Sequence, residues 1–172
     1  FTILDRFLDQ GGNFLDTANC YAWWSGKTAT GDESETLLGE WMRERGNRNK
    51  IFLATKGGAR IKSLSRIRDT EGNIAWDKVV NNYEYLSAQA LRKAAEDSLR
   101  RLGTDHIDLY YVHIDDRRTP QEETLGVLND LVKEGKVRYI ACSNFRTWRM
   151  ERARSISAAN GWAGFTAIQQ QY

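Results

Sequence analysis

The chain is poor in the residues that often place a sequence at first sight. Among its 172 residues there is one proline, and there are two cysteines, two histidines and two methionines. Two cysteines, Cys20 and Cys142, build no disulfide framework, and neither lies in a Cys-x-x-Cys or Cys/His cluster of the kind that holds structural zinc. Their places at the ends of apolar segments mark them as small buried residues, and a reduced, cytoplasmic setting is expected. No apolar run reaches about 18 residues, so no membrane span is expected. No charged-then-apolar leader is visible, so no targeting signal is expected. The formal net charge is only +2. No basic stripe with interleaved aromatics stands out, which argues against a nucleic-acid partner. What remains, 41% hydrophobic and 28% charged, is the composition of one globular domain or part of one, and residues 1–172 are read as a single unit.

The chain does contain a regular alternation. Residues 1–10 read as a helix with Ile3, Leu4, Phe7 and Leu8 on one face, stopped by Gly11-Gly12. A strand over 13–17 follows. Asp32-Glu33-Ser34-Glu35 has the spacing of a capping box and opens a helix with Leu37, Leu38, Trp41 and Met42 inward. Strand 51–55 is a continuous apolar run, as in a strand buried on both faces. Ser87 caps a helix carrying Leu91, Ala94, Ala95, Leu99 and Leu102, ended by Gly103. After strand 107–112, Thr119-Pro120-Gln121-Glu122 gives a second capping box, with the proline at the first helical position. That helix ends near Gly135. Strand 137–142, a helix over 145–159 and strand 166–169 complete the order. Such alternation implies a parallel sheet with covering helices. One connection, from Gly57 to Leu86, is long and without a strong period. Loops of that length are commonly functional.

The polar residues that interrupt this pattern fall just past strand ends: Asp16 and Tyr21 after the first, Lys56 after the second, His113 after the third, Ser143 and Asn144 after the fourth. In a parallel α/β barrel every strand C-terminus opens on one face, and catalytic groups come from several strands. An aspartate, a tyrosine, a lysine and a histidine gathered there form a proton-handling site. Trp23 and Trp24 are read as large, partly exposed residues that either wall a substrate pocket or pack on the rim. Trp76, Tyr83 and Tyr85 in the long loop are read in the same two ways. Asp115-Asp116 is read as capping or solvating the next loop, arginines 146, 149, 152 and 154 as a solvated helix face, and His106 as structural.

These residues also carry a family resemblance. Gly12-Asn13-Phe14-Leu15-Asp16-Thr17-Ala18 running to Tyr21 resembles the aldo-keto reductase signature around its catalytic aspartate and tyrosine. Ala54-Thr55-Lys56 resembles the lysine strand. Asp97-Ser98-Leu99-Arg100-Arg101-Leu102-Gly103-Thr104-Asp105, with Ile107-Asp108-Leu109 and Val112-His113, resembles the central signature and catalytic histidine. Gly135-Lys136-Val137-Arg138-Tyr139-Ile140 with Cys142-Ser143-Asn144-Phe145, and Ile168-Gln169 followed by Tyr172, are similar to segments that contact the nicotinamide. The resemblance implies a (β/α)8 TIM barrel, of which this chain carries roughly strands two to six. It implies Ser143, Asn144 and Gln169 as cofactor contacts, NADP(H) ahead of NAD(H), no metal, and a small carbonyl compound as partner. One departure is Ala22, where the family usually has glycine.

The implied reaction is carbonyl reduction. A phenol is a weak proton donor at neutral pH, its unperturbed pKa being about 10, and an ammonium beside it stabilises the phenolate. Tyr21 is thus expected as general acid, Lys56 as its tuning charge, Asp16 as the support of Lys56 and His113 as the group that orients the carbonyl. Two rivals remain: a regulatory or cofactor-sensing barrel with little turnover, and a Schiff-base aldolase with Lys56 as nucleophile.

Overall fold

The computed structural model describes residues 1–171; Tyr172, part of the last motif above, lies outside the described residues. Five parallel strands, β1 (Phe14–Asp16), β2 (Phe52–Gly57), β3 (Ile107–Val112), β4 (Val137–Ser143) and β5 (Phe165–Gln169), lie side by side in chain order. The helices are α1 (Thr2–Asp9), α2 (Glu33–Arg45), the short α3 (Trp76–Val79), α4 (Ala88–Leu102), α5 (Gln121–Lys133) and α6 (Thr147–Asn160). Parallel neighbours need a crossover connection, and the helices between successive strands supply it.

The sheet is curled. Adjacent strands lie about 4.8 Å apart, so the edge strands of a flat five-stranded sheet would be separated by roughly 19 Å. Yet Gln169 Nε2 at the end of β5 is 3.3 Å from Asp16 Oδ2 at the end of β1. Only a sheet rolled about an axis brings those two ends together, and this is the curvature of consecutive strands in a (β/α)8 barrel.

Strand side chains alternate between faces. Phe52, Ala54 and Lys56, Leu109 and Tyr111, and Ala141 share the concave face, where Ala54, Leu109, Tyr111 and Ala141 form one apolar cluster. The Phe14 ring stacks on Phe52 at 5.2 Å and continues it. Leu53, Tyr110, Val112 and Ile140 instead pack outward against the helices. A bulge opposite Ile140 and Ala141 resets β5, so that Ala167 pairs with Ala141 and Gln169 with Ser143. The ladder therefore delivers Asp16, Lys56, Ser143 and Gln169 to one end of the concave face.

Several local expectations need correction. Ile3 and Leu37 face solvent; the stripe of α1 that packs is Leu4 and Leu8. Asp32 stands at the N-cap of α2, where its spacing put it, but its side chain does not cap the helix. Glu33 reaches back to the backbone N–H groups of Thr30 and Gly31 (2.6 and 2.7 Å), while Asp32 pairs with Arg60 and Arg101. Thr119 does not cap α5; its hydroxyl donates to Asp116, and Pro120 sits at the N-cap. Ser87 and Gly103 do bound α4 as expected: the Ser87 hydroxyl accepts from Ala90 N–H, and Gly103 takes the left-handed φ of +62°. The bland reading of Arg149 fails. It is 8% exposed, pairs with Asp115 and donates to the Asp116 carbonyl. Asp116 is buried; it accepts from Arg118 N–H in the next loop, as expected, and also from Leu86 N–H at the end of the long loop.

The long loop is built rather than loose. It contains α3 and two single 3₁₀ turns, Leu64–Arg66 and Val80–Asn82, closed by bridges between Ile61 and Tyr83 and between Arg68 and Ile74. Arg68 clasps it to the loop after β1 by donating to the carbonyls of Trp23, Lys27 and Ala29. Among the described residues no helix is long and apolar enough to cross a membrane.

Candidate active site

Lys56 is the centre of the site. Its side chain is 0% exposed, and a buried ammonium persists only when its hydrogen-bond donors are taken up. All three are. Nζ donates to Asp16 Oδ2 at 2.6 Å, to the Thr17 carbonyl at 2.9 Å and to the Tyr21 hydroxyl at 3.0 Å. The phenol oxygen therefore accepts, and its own hydrogen is left free to donate elsewhere. Asp16 and Thr17 bring the first two acceptors because β1 is paired in register with β2, Asp16 opposite Ala54 and the Thr17 N–H on the Ala54 carbonyl. Lys56 with three donated bonds is not a free amine, which removes the geometric basis for a Schiff-base nucleophile.

Tyr21 is held from both sides by aromatic edges: Trp24 at 6.0 Å and His113 at 5.7 Å between centroids, both near T-shaped. The residue after it, Ala22, has φ +79°. This is left-handed backbone where a Cβ is disfavoured, and it gives a physical reason for glycine at that position in sequences of this pattern.

His113 is placed by its main chain. Its N–H donates to the Gly57 carbonyl, and its carbonyl accepts from Asn144 Nδ2 at 2.9 Å. Burial, with the Lys56 charge nearby, pushes the imidazole down from 6.5 to about 4. It is neutral at pH 7 and presents one donor and one acceptor. The pH dependence follows. An unfolded chain takes up a proton near pH 6.5 that the folded one refuses until about pH 4, so the folded state loses stability as pH falls between those values. In the full-length protein, His113→Asn is expected to flatten this part of the stability curve in urea titrations at pH 7.0 and 4.5. Identical pH dependence in the variant would contradict the shift.

The expected cofactor residues also converge. Asn144 N–H donates to the Gln169 carbonyl, Asn144 Nδ2 lies 3.1 Å from the Ser143 hydroxyl, and Gln169 is opposite Ser143 in the ladder. Asn144 adopts φ +58°, a conformation that asparagine tolerates better than most residues. Asn144 Nδ2 is spent on the His113 carbonyl and the Ser143 hydroxyl, and the amide oxygens of Asn144 and Gln169 with the Ser143 hydroxyl form a mixed acceptor and donor set that suits a carboxamide.

Beside Tyr21 and His113 opens a cavity of about 410 Å³, walled by Trp23, Trp24, Trp76, Val79, Val80 and Tyr83, with Asn144 at its edge. Among the described residues no Asp, Glu, Lys or Arg lines it. Trp23 is only 5% exposed, against the expectation of partial exposure, and it is the hub of the wall. Its ring meets Trp24 at 5.8 Å and Trp76 at 5.7 Å. Trp24 and Trp76 are 50% and 64% exposed. Tyr85 does not join them; its hydroxyl donates to the Val80 carbonyl and its ring lies under Arg118.

A match to the family model described as "Aldo/keto reductase family" extends over residues 1–172. The chain belongs to the aldo/keto reductase family. Among curated relatives, a norsolorinic acid reductase of Aspergillus flavus is 37% identical over 98% of this chain and 39% of its own length. An oxidoreductase of Bacillus subtilis is 37% identical over 100% of the chain and 48% of its own. An aryl-alcohol dehydrogenase [NADP(+)] of Phanerodontia chrysosporium is 32% identical over 100% and 41%. The chain thus spans between about two fifths and one half of the length of these relatives.

Two groups in this aldo/keto reductase site were not expected from sequence. Glu84 accepts from Asn19 Nδ2 (2.7 Å) and from Gly58 N–H (2.8 Å), tying the Tyr21 loop to the Lys56 loop. Desolvation pushes its pKa above the usual carboxylate value. Glu35, fully buried on α2, accepts from the Thr55 hydroxyl and pairs with Arg101, anchoring β2 from behind. Neither has a local signal, because each acts across 20 to 66 positions of sequence.

Proposed function

We propose that the full-length protein reduces an aromatic aldehyde or ketone to the alcohol, and runs the reverse oxidation, with NADP(H) ahead of NAD(H). The observation that carries this reading is the saturation of Lys56, which leaves the Tyr21 hydroxyl hydrogen free beside a cavity. Tyr21 donates that proton to the carbonyl oxygen as negative charge develops on it. Lys56, fixed by Asp16 and the Thr17 carbonyl, stabilises the phenolate left behind. Neutral His113 donates a second hydrogen bond to the same oxygen and orients it. Ser143, Asn144 and Gln169 would hold the carboxamide of a nicotinamide so that one ring face meets the substrate. The nicotinamide, when bound, supplies the hydride. A reduced, cytoplasmic setting suits two buried free thiols.

The aromatic substrate class is supported by the uncharged, indole-rich wall, and by relatives named for aryl alcohols and for norsolorinic acid. Aromatic pairs add about 0.5–1.5 kcal/mol beyond area burial, roughly 2- to 13-fold in kcat/KM. The test uses the full-length protein with benzaldehyde and with cyclohexanecarbaldehyde, which is similar in size but lacks a π face. Multiple turnovers with NADPH are expected. Trp76→Ala should cut kcat/KM for benzaldehyde several-fold more than for the cyclohexyl aldehyde. Failure to exceed one turnover with either aldehyde and either cofactor would sink the reading in favour of a cofactor-sensing barrel.

A further inference from the structure

The His113 imidazole has, among the described residues, no carboxylate or carbonyl on its inner nitrogen, the partner that usually sets a histidine's tautomer. Among the described residues the hydrogen-bond partner of its ring is a thiol: Cys20 Sγ lies 3.7 Å from Nδ1. Cys20 is 4% exposed and immediately precedes Tyr21. The same two-residue segment therefore carries the phenol and contacts the histidine.

We propose that Cys20 is a positioning residue, its thiol fixing His113 in the tautomer that carries the proton on Nε2, so that this nitrogen can donate to the substrate carbonyl oxygen. The inference rests on the carbonyl-reducing reading above and adds to it the group that selects the donor.

The direction of the bond follows from what each group can do. Burial pushes the Cys20 thiol up to about 12, so the sulfur keeps its hydrogen at neutral pH. Lys56 and Asp16 are the charged groups that act on His113; burial and Lys56 disfavour the imidazolium, and the ring stays neutral. A neutral imidazole has one bare nitrogen, and that nitrogen is a far better acceptor than a thiol sulfur. The favoured arrangement is thus S–H donating to bare Nδ1, with the ring proton on Nε2. The opposite arrangement, Nδ1–H toward sulfur, uses the poor acceptor and leaves the S–H without a partner. It also turns a bare Nε2 lone pair toward the carbonyl oxygen, where it repels. Tyr21 supplies one proton to that oxygen. Nε2–H supplies the second hydrogen bond only in the first arrangement.

The test is ¹⁵N NMR of the histidine side chains in the full-length protein at pH 7, with the His113 signals assigned by their loss in His113→Asn. The wild type is expected to show a proton on Nε2 and none on Nδ1. Cys20→Ala should give a mixture of tautomers and lower kcat about tenfold, with the NADPH dissociation constant within twofold. Cys20→Ser, whose hydroxyl can donate to Nδ1, should keep the wild-type tautomer and kcat within threefold. A proton on Nδ1 in the wild type overturns the proposal, as does a Cys20→Ala protein with the wild-type tautomer or the wild-type kcat. The NMR readout needs no turnover, so absence of carbonyl reduction would count against the parent reading alone.

Discussion

Tyr21→Phe in the full-length protein is expected to lower kcat for carbonyl reduction by at least about a hundredfold, within the range of roughly 10²–10⁴ assigned to a positioned acid, while NADPH binds as before. The variant removes one oxygen. The ring keeps its edge contacts with Trp24 and His113, so the pocket wall stays in place. The lost group is the one whose hydrogen is unused in the resting site, because Lys56 donates to the phenol oxygen rather than accepting from it. A group acting only in the transition state lowers kcat and kcat/KM together. Steady-state kinetics and fluorescence titration of NADPH would check both halves. A kcat within threefold of wild type would take Tyr21 out of its assigned role.

Lys56→Met should damage stability and catalysis at once. The aliphatic stem fills similar space, so packing is nearly conserved, and the losses are polar. The Thr17 carbonyl loses the Lys56 donor, and Thr17 is fully buried. Among the described residues Asp16 retains only the longer contact from Gln169 at 3.3 Å. Removing one member of a buried ion pair costs about 3–5 kcal/mol. The Asp16 side chain keeps 28% exposure and recovers some hydration, so a loss of about 2–3 kcal/mol is expected from these terms. The rate should fall by at least a hundredfold because the phenolate has lost its charge partner. Urea titration and kinetics read the two effects separately, and the double variant with Asp16→Asn should recover part of the stability but none of the rate. A variant with native stability and native rate would take Lys56 out of its assigned role.

The polypeptide's own pattern marked the strands, most helices and the polar residues that gather at the strand ends. Strand β2 is an apolar run that closes on Lys56-Gly57, β3 is a largely apolar run followed by His113, and β1 ends in aspartate with a tyrosine five residues on. Alternation, glycine stops and the Ser87 cap are local rules, satisfied within a few residues, and they are legible for that reason. The burial of Trp23, the ion pairs of Glu35 and Arg149 and the bridging carboxylate of Glu84 obey no such rule. Each depends on a partner 20 to 66 positions away that arrives only when the sheet rolls. The capping boxes show the same limit in miniature. Asp32 and Thr119 have the right spacing, but Arg60 of the long loop takes the Asp32 carboxylate, and Asp116, three residues back, takes the Thr119 hydroxyl. The roll itself is a property of the whole sheet. It sets Gln169 against Asp16 across 153 residues, and it turns isolated strand-end residues into one buried ammonium with its three acceptors, because curvature comes from strand twist and pairing summed over five strands and not from any one of them.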